Sequence, residues 1–460
     1  MTIRQTMRHS LKLTAVALIA LAGYRSGATE PTSVKPQYLH LWTASADKSQ
    51  PDFLAVLDIT ENDGRYGRLV ATLPVPGRGN GPHHTEHEMP GDGRLFANGF
   101  DSGQSFVFDL TDPLHPTIVR QFGDVEGYSH PHSFLRLPNG NVLATFQMRH
   151  AHDSSSIRTG GLVEMTPTGE PVRSASADGP DLGAGSRVYS GQIVPAFDRI
   201  VTTTTDMHKD DPASRNLQIW RLSDLSLLKT FALPDGPADN EGLLTAEPRL
   251  LPDGKTVMVS TFSCGLYLMD GLDGDKPSAR LVASFPQKAE TFCAIPVIAS
   301  HYYLVTVPAW NAVVSLDISD PSAPREASRL VLGPEDVPHW IAISPDHRRI
   351  VVTGYAALQH RVLIARFDPA SGQLQLDDRF REEGRAPANP VFAWTTRPGR
   401  TVAMPRVYRT GRYSACPNCA PTVRARTQCA HPNRHGRRSA LLSRPTARGT
   451  CWAPPGSRRR

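Results

Sequence analysis

Long apolar segments are missing from this chain, apart from one short run near its start. That run, LTAVALIALAG at residues 13–23, is about half as long as a helix needs to span a bilayer. It follows three basic residues and precedes small ones, an order typical of a cleaved export signal. Tyr24 stands where a lipoprotein would need cysteine, so we do not predict a lipid anchor. We therefore predict a signal peptide over residues 1–28, a periplasmic or secreted bacterial protein, and no stable membrane anchor.

Acidic residues are absent from the last part of the chain. Residues 394–460 contain 15 arginines and no lysine, aspartate or glutamate, so the rest of this +6 chain carries −9. A basic tail can bind nucleic acid, but an acidic body would repel phosphate. We interpret residues 393–460 as a disordered Arg/Pro-rich tail or as out-of-frame sequence, and predict no nucleic-acid partner. Its Cys416-x-x-Cys419 pair is a weak zinc motif, because no second well-spaced pair accompanies it.

Helical patterns of useful length are also missing, and short strands repeat in their place. Between residues 34 and 392, seven β-branched strands, most of them ending in Thr or Ser, recur about every 50 residues. Turn sequences such as LPNGN and LPDGK precede them and Asp-Pro turns follow, which indicates antiparallel hairpins. Two stacked β-sandwiches would not repeat the same turn chemistry seven times. The sequence therefore predicts an all-β fold, a seven-bladed β-propeller of four-stranded antiparallel blades over residues 34–392.

Histidines recur at one position of this repeat. Five of them lie 10 to 12 residues before the second strand of their blade: His83, His84, His130, His132 and His339. Equivalent positions of different blades meet at the same end of the central channel, so these side chains should converge. A lone histidine there would be structural, but clustered neutral imidazoles are ligands that a borderline transition metal prefers. We predict a metal site formed by these five residues.

The chemistry of this site follows from its donor types. Carboxylates are too few at the aligned positions to favour a calcium site of the kind that lactonase propellers use. An imidazole-rich, thiolate-poor site suits copper, iron, zinc or nickel. Glu247 and Glu88 are candidate proton acceptors. His87 is expected to be a surface or supporting group.

The segments PHHTEHE, SHPHSF, EPRLLPDGK, CGLYLMDG and VPHWIAISPDHRRIVVTGY resemble the selenium-binding protein family, which includes methanethiol oxidases. The resemblance covers roughly residues 36–390 and implies a seven-bladed propeller with copper-dependent oxidation of small thiols. In that reaction methanethiol, oxygen and water give formaldehyde, hydrogen sulfide and hydrogen peroxide. By motif, the resemblance implies His83, His84 and His130 as metal ligands, with His132 and His339 close by. The family also places a His-containing segment near its C-terminus, where this chain has its Arg-rich tail.

Two questions stay open from the sequence alone. Cys264 and Cys293 belong to successive blades, so they could form a disulfide in an oxidising compartment, or Cys293 could line the channel as a reactive thiol. The function could be thiol oxidation, with a thiol or another reduced sulfur compound as substrate. The alternatives are a metal-assisted hydrolase or lactonase and a non-enzymatic propeller that binds metal or protein.

Overall fold

The structure is a computed structural model. It describes residues 36–45, 48–61, 64–150, 157–179, 181–182, 186–207, 213–286, 293–334, 336–354, 361–381 and 392–393. The expected signal peptide lies outside these ranges, as does the expected tail apart from residue 393. Within the described ranges, the structure contains no helix with the length and apolar character that crossing a membrane requires.

The described strands form seven antiparallel sheets in chain order, which confirms the seven-bladed β-propeller. Blade 1 contains β1 (Tyr38–Thr43), β2 (Phe53–Asp58) and β3 (Arg68–Pro74). Blade 2 contains β4 (Pro82–Thr85), β5 (Arg94–Gly99), β6 (Gln104–Asp109) and β7 (Thr117–Phe122). Blade 3 contains β8 (Tyr128–Arg136), β9 (Val142–His150), β10 (Ile157–Met165) and β11 (Pro171–Ser176). Blade 4 contains β12 (Gly191–Val194), β13 (Arg199–Thr203), β14 (Asn216–Arg221) and β15 (Leu227–Ala232).

The remaining three blades follow the same plan. Blade 5 contains β16 (Thr245–Leu250), β17 (Val257–Thr261), β18 (Gly265–Asp270) and β19 (Ser278–Ser284). Blade 6 contains β20 (Pro296–Ala299), β21 (Tyr302–Val307), β22 (Ala312–Asp317) and β23 (Arg325–Val331). Blade 7 contains β24 (Pro338–Ile343), β25 (Arg349–Gly354), β26 (Arg361–Phe367) and β27 (Leu374–Leu376), and β28 (Phe392–Ala393) also pairs with β26. Two short 3₁₀ helices, Pro195–Phe197 and Pro308–Trp310, connect strands in blades 4 and 6.

The first strand of each of blades 2 to 7 is its innermost strand, because these strands contact one another from blade to blade around the channel. The core lies between neighbouring blades. Phe96 and Val107 of blade 2, for example, pack with Phe134 and Phe146 of blade 3. The middle strands are therefore buried on both faces. They read as continuous apolar runs, such as FLAVLD in β2, rather than as alternating ones.

Blade 1 departs from the expected four strands. Its β1 matches the second strand of the other blades, and among the described residues β1 pairs with β2 and with no other strand. The place of an inner strand is taken by a cavity of about 560 Å³ between β1, β4 and β24. Trp42, Trp340 and Thr353 are among the residues that line it. The inner edge of β1 therefore faces a groove that leads toward the channel.

Cys264 and Cys293 form a disulfide, with their Cα atoms 4.9 Å apart. Cys264 lies between β17 and β18, and Cys293 lies just before β20, so the bond joins blade 5 to blade 6. In this structure Cys293 is therefore not a channel thiol. The disulfide closes a loop with a sequence separation of 29 residues.

We expect the Cys264→Ser/Cys293→Ser double variant to be less stable by roughly 3–4 kcal/mol. That is the chain-entropy value for a loop of about 30 residues. Urea denaturation followed by Trp fluorescence would measure the shift in midpoint. Treating the native protein with a reducing agent should produce a similar shift and leave the double variant unchanged. Equal midpoints for the oxidised protein and the variant would contradict the expected contribution.

Candidate metal centre

The histidines sit on inner strands that carry β-bulges. A regular strand points successive side chains to opposite faces, whereas a bulge sets an extra residue against its partner strand and re-aims side chains. Four of the inner strands shift register in this way: β4 between Pro82 and Thr85, β8 between Pro131 and Phe134, β16 between Thr245 and Pro248, and β24 between Pro338 and Trp340. In β4, the bulge brings the consecutive residues His83 and His84 to the same side, with their rings stacked at 4.4 Å.

A residue with positive φ precedes each of these four bulged segments: Gly81, His130, Leu244 and Val337. The repeated order is a positive-φ residue, then Pro or Thr, then the residue that faces the channel. This order makes His132, not His130, the equivalent of His83, and His339 their equivalent in blade 7. The recurring Pro-His dipeptide in SHPHSF and VPHW was the sequence signal that could have fixed this alignment.

Three imidazoles come together at this level of the channel. One ring nitrogen from each of His83, His84 and His132 lies within 4.8 Å of the others, and all three residues are buried. The Nε2 atoms of His83 and His132 are 3.1 Å apart. The ring centroids of His84 and His132 are 4.1 Å apart. We call these three residues the histidine triad.

Backbone contacts fix the orientation of His132. Its Nδ1 lies 2.8 Å from the carbonyl oxygen of Tyr189. Because a carbonyl only accepts hydrogen bonds, Nδ1 carries the proton and the Nε2 lone pair faces the triad. The same Tyr189 carbonyl accepts a hydrogen bond from Thr145 at 2.8 Å. Tyr189 therefore acts as the anchor that sets the tautomer of His132.

Thr residues of three second strands have a structural role that the sequence did not reveal. Thr145, Thr203 and Thr306 donate to the carbonyl oxygens of Tyr189, Ala246 and His339 in the next blade, at 2.8, 2.6 and 2.6 Å. Asn98 takes this role in blade 2 and donates to the carbonyl of Pro131 at 2.9 Å. Side chains on the second strands of blades 2, 3, 4 and 6 thus hold backbone at or next to the inner strand of the blade that follows.

Burial keeps the histidines neutral. Desolvation, and secondarily the neighbouring histidines, lower the pKa of His83 and of His84 well below the usual value of 6.5. Desolvation also lowers the pKa of His339 to about 3. A neutral imidazole keeps a lone pair for a metal, so these residues are in the state that a metal ligand requires.

The other two predicted ligands are not part of the triad. The half-buried His130 has φ 56°, and its ring lies against Gly103 and Phe100, with ring centroids 6.1 Å apart for the His130–Phe100 pair. His339 is buried and lies close enough to influence the pKa values of His83 and His84. Of the five expected ligands, the described contacts group three, place His339 near them and place His130 against Phe100 and Gly103.

The two candidate proton acceptors differ in their surroundings. Glu88 is exposed at the rim of the cavity. Glu247 is buried, and its Oε2 accepts hydrogen bonds from Ser190 at 2.6 Å and from Arg249 at 2.8 Å. Its Oε1 is buried and has no hydrogen-bond partner among the described residues. Ser190 directly follows Tyr189, whose carbonyl oxygen accepts the hydrogen bond from His132. Glu247 is therefore linked to the triad through Ser190 and Tyr189.

His87, expected to be a surface or supporting group, lies in the channel. Its ring stacks on Trp340 at 4.5 Å, and Trp340 also contacts His84 at 4.6 Å, both between ring centroids. Arg249 lies 2.8 Å from Nε2 of His87, and because arginine always donates, this nitrogen accepts. Desolvation and the nearby charge of Arg249 lower the pKa of His87 well below its usual value. Trp340 and His87 therefore close the triad on the side of blade 7.

The triad fits a transition metal. Three imidazoles supply the nitrogen donors that copper, iron or zinc accept. Nε2 of His84 is buried and has no hydrogen-bond partner in the described part of the chain, a costly arrangement unless something binds it. The separation of 3.1 Å between the Nε2 atoms of His83 and His132 also suits two ligands of one ion at about 2.1 Å.

Comparison with known proteins gives a relative in sequence and several in fold. No family model matches the chain. Over 224 residues it is 29% identical to the methanethiol oxidase of Hyphomicrobium sp, a match that covers 44% of this chain and 50% of that protein. The chain is similar to methanethiol oxidase. The match therefore spans about half the length of that curated relative.

Solved structures show the same fold. A hypothetical selenium-binding protein from Sulfolobus tokodaii superposes with a TM-score of 0.63 at 17% identity, over 76% of this chain and 91% of that one. The periplasmic gluconolactonase of Pseudomonas aeruginosa superposes with a TM-score of 0.53 at 14% identity, over 74% of this chain and 95% of that one. The resemblance to the selenium-binding protein family, and to its methanethiol oxidases, is confirmed by these comparisons.

Proposed function

We propose that this protein is a copper-dependent oxidase of small thiols. The observation that carries the proposal is the buried histidine triad in a chain similar to methanethiol oxidase. Bound copper would supply a Lewis acid for a thiolate and one-electron exchange with oxygen. Iron and zinc remain alternatives, of which zinc would bind a thiolate without redox chemistry.

The protein groups around the triad prepare the site for a small substrate. Tyr189 holds His132 with its Nε2 lone pair toward the triad. Aromatic rings enclose the histidines: Phe100 lies 5.2 Å from His83, and Trp340 lies 4.6 Å from His84, between ring centroids. These rings exclude water, which strengthens electrostatic interactions in the site.

We propose that Glu247 accepts the proton of the substrate thiol. This carboxylate is held by Ser190 and Arg249 through one oxygen, and its second oxygen is buried without a partner among the described residues. A fixed carboxylate with one oxygen to spare has the form of a general base. Glu88, at the rim of the cavity, is a second candidate that would exchange protons with solvent.

We also propose an extracytoplasmic location. The disulfide between blades 5 and 6 supports it, because disulfides persist in oxidising compartments. The N-terminal pattern of basic and apolar residues supports it independently. Edman sequencing of the protein from a periplasmic extract tests both the location and the expected cleavage near residue 28.

Loading the purified protein with copper, iron or zinc and supplying methanethiol tests the function directly. We expect oxygen uptake with copper only, together with formaldehyde, hydrogen sulfide and hydrogen peroxide in equal amounts, since one oxygen molecule and one water are consumed for each thiol. Hydrolysis of lactones or esters, without oxygen uptake, would indicate the metal-assisted hydrolase instead. Stoichiometric metal binding with neither activity would indicate a non-enzymatic metal-binding propeller.

A further inference from the structure

The groove beside β1 combines three features that point to one kind of ligand. The first is the edge of β1 itself, six residues long, which among the described residues pairs on one side only. An unpaired strand edge presents a row of backbone N–H and C=O groups, and buried groups of this kind are costly when left unsatisfied. An extended peptide can satisfy such an edge by adding a strand to the sheet.

The second feature is the size and character of the groove. Its volume of about 560 Å³ is within the range of roughly 300–1,000 Å³ for pockets that hold drug-sized ligands. A substrate with two heavy atoms, such as methanethiol, would leave most of this space to solvent. Trp42, Leu41, Ile343 and Val351 are among its apolar walls, which suit side chains rather than a highly charged ligand.

The third feature is continuity with the histidine triad. His83 is both a member of the triad and part of the groove wall. Thr353 ends the second strand of blade 7, as the carbonyl-binding residues Thr203 and Thr306 do in blades 4 and 6, and it lines the same groove. In those blades the Thr hydroxyl donates to the inner strand of the next blade. For Thr353, the corresponding acceptor would be a carbonyl group of a chain that lies along β1.

His40 adds a polar contact on the same wall. Both ring nitrogens of His40 are buried and have no hydrogen-bond partner among the described residues. Burial lowers the pKa of His40 to about 4, so the ring is neutral near pH 7. A neutral imidazole suits an amide or a hydroxyl group of a ligand better than a carboxylate.

We propose that this groove binds an extended peptide along the inner edge of β1 and that the thiol of a cysteine in this peptide reaches the histidine triad. The binding part stands on the groove alone, whereas oxidation of the bound cysteine rests on the proposed function. A cysteine side chain is a primary thiol, R–CH₂–SH. With O₂ and H₂O it would give R–CHO, H₂S and H₂O₂: the C–S bond breaks, carbon is oxidised to the aldehyde, and O₂ accepts two electrons and two protons.

Binding is tested without any catalysis. The probe is a capped pentapeptide of Val, Thr and Ile with serine at its centre, titrated by calorimetry into the full-length protein. The control peptide has the same side chains but carries N-methyl groups on alternate amides, so it cannot pair with a strand edge. We expect the control to bind at least tenfold more weakly. Equal affinity for the two peptides would overturn the proposal. Failure of both peptides to bind would also overturn it, and this is the result expected if another part of this chain fills the groove.

A pair of variants locates the site. Ala342 lies on β24 and lines the groove, so Ala342→Phe should reduce its volume and weaken peptide binding at least tenfold. Ala232, exposed at the end of β15 in blade 4, gives the matched control Ala232→Phe, which should bind normally. Thermal denaturation shows whether the Ala342→Phe variant is folded. The comparison of the two peptides uses the unmodified protein, so it stays valid even if this variant does not fold. Normal binding by a folded Ala342→Phe variant would contradict this location.

The chemistry is tested separately with the matching cysteine peptide. We expect the copper-loaded protein to convert it to an aldehyde, trapped with a hydrazine, and Ala342→Phe to lose this reaction while it still oxidises methanethiol. If the serine peptide binds but no thiol of any size is oxidised, the proposed function fails and the groove assignment stands. If methanethiol is oxidised but the cysteine peptide is not, the peptide-thiol assignment fails and the proposed function stands.

Discussion

Replacing His132 with alanine is expected to lower the affinity for copper more than about 100-fold and to abolish thiol oxidation. Loss of a residue that merely orients a metal ligand already costs about 10–100-fold, so loss of a ligand should cost more. His132 supplies one of the three nitrogens of the triad, and its Nε2 lies 3.1 Å from that of His83. Competition with a chromophoric chelator measures the affinity, and an oxygen electrode measures the activity.

His130 provides the matched control, two residues away on the same strand. Its ring packs against Phe100 and Gly103 rather than joining the triad, and its φ of 56° is readily adopted by glycine. His130→Gly should therefore keep the metal and the activity, with stability equal to or above that of the unmodified protein. A loss of metal in His130→Gly, with retention in His132→Ala, would show that His130 is the ligand and the equivalent of His83.

Replacing Arg249 with methionine is expected to destabilise the protein by about 3–5 kcal/mol, the usual cost of removing one partner from a buried ion pair. The Glu247 side chain is 1% exposed and that of Arg249 is 11% exposed, so Glu247 would be left as a charge without its counter-ion. Arg249 also donates to the carbonyl of Pro296 and contacts His87, and both contacts would be lost. Urea denaturation measures the change in unfolding free energy.

Two comparisons separate this effect from a general loss of arginine. The pair Arg221–Asp224 has a similar distance of 2.8 Å, but its side chains are 44% and 51% exposed, so Arg221→Met should change stability by less than about 1 kcal/mol. The double variant Arg249→Met/Glu247→Gln removes the uncompensated charge and keeps a partner for Ser190. It should recover most of the loss. An Arg249→Met variant as stable as Arg221→Met would show that the pair is solvated.

The repeat predicted where the histidines cluster, but it did not predict which histidines form the triad. Counting back from the second strands brought five histidines to one end of the channel. The count could not distinguish His130 from His132, because the bulge in β8 changes which residues face the channel. A bulge is a local change in hydrogen bonding and leaves no fixed spacing in the sequence. The roles of Tyr189 and His87 were hidden for a related reason, since both depend on contacts between different blades.

The sequence by itself determined the fold class, the number of blades and the kind of atom available to a metal. Short apolar strands with recurring turns are compatible with few architectures. The histidines that offer nitrogen ligands can be read directly from the sequence. Tertiary structure alone decided which imidazoles meet, that Cys264 and Cys293 are bonded, and that the inner edge of β1 borders a groove. These features depend on distances of a few ångströms between residues far apart in the chain, and such distances are set by packing between blades rather than by local sequence.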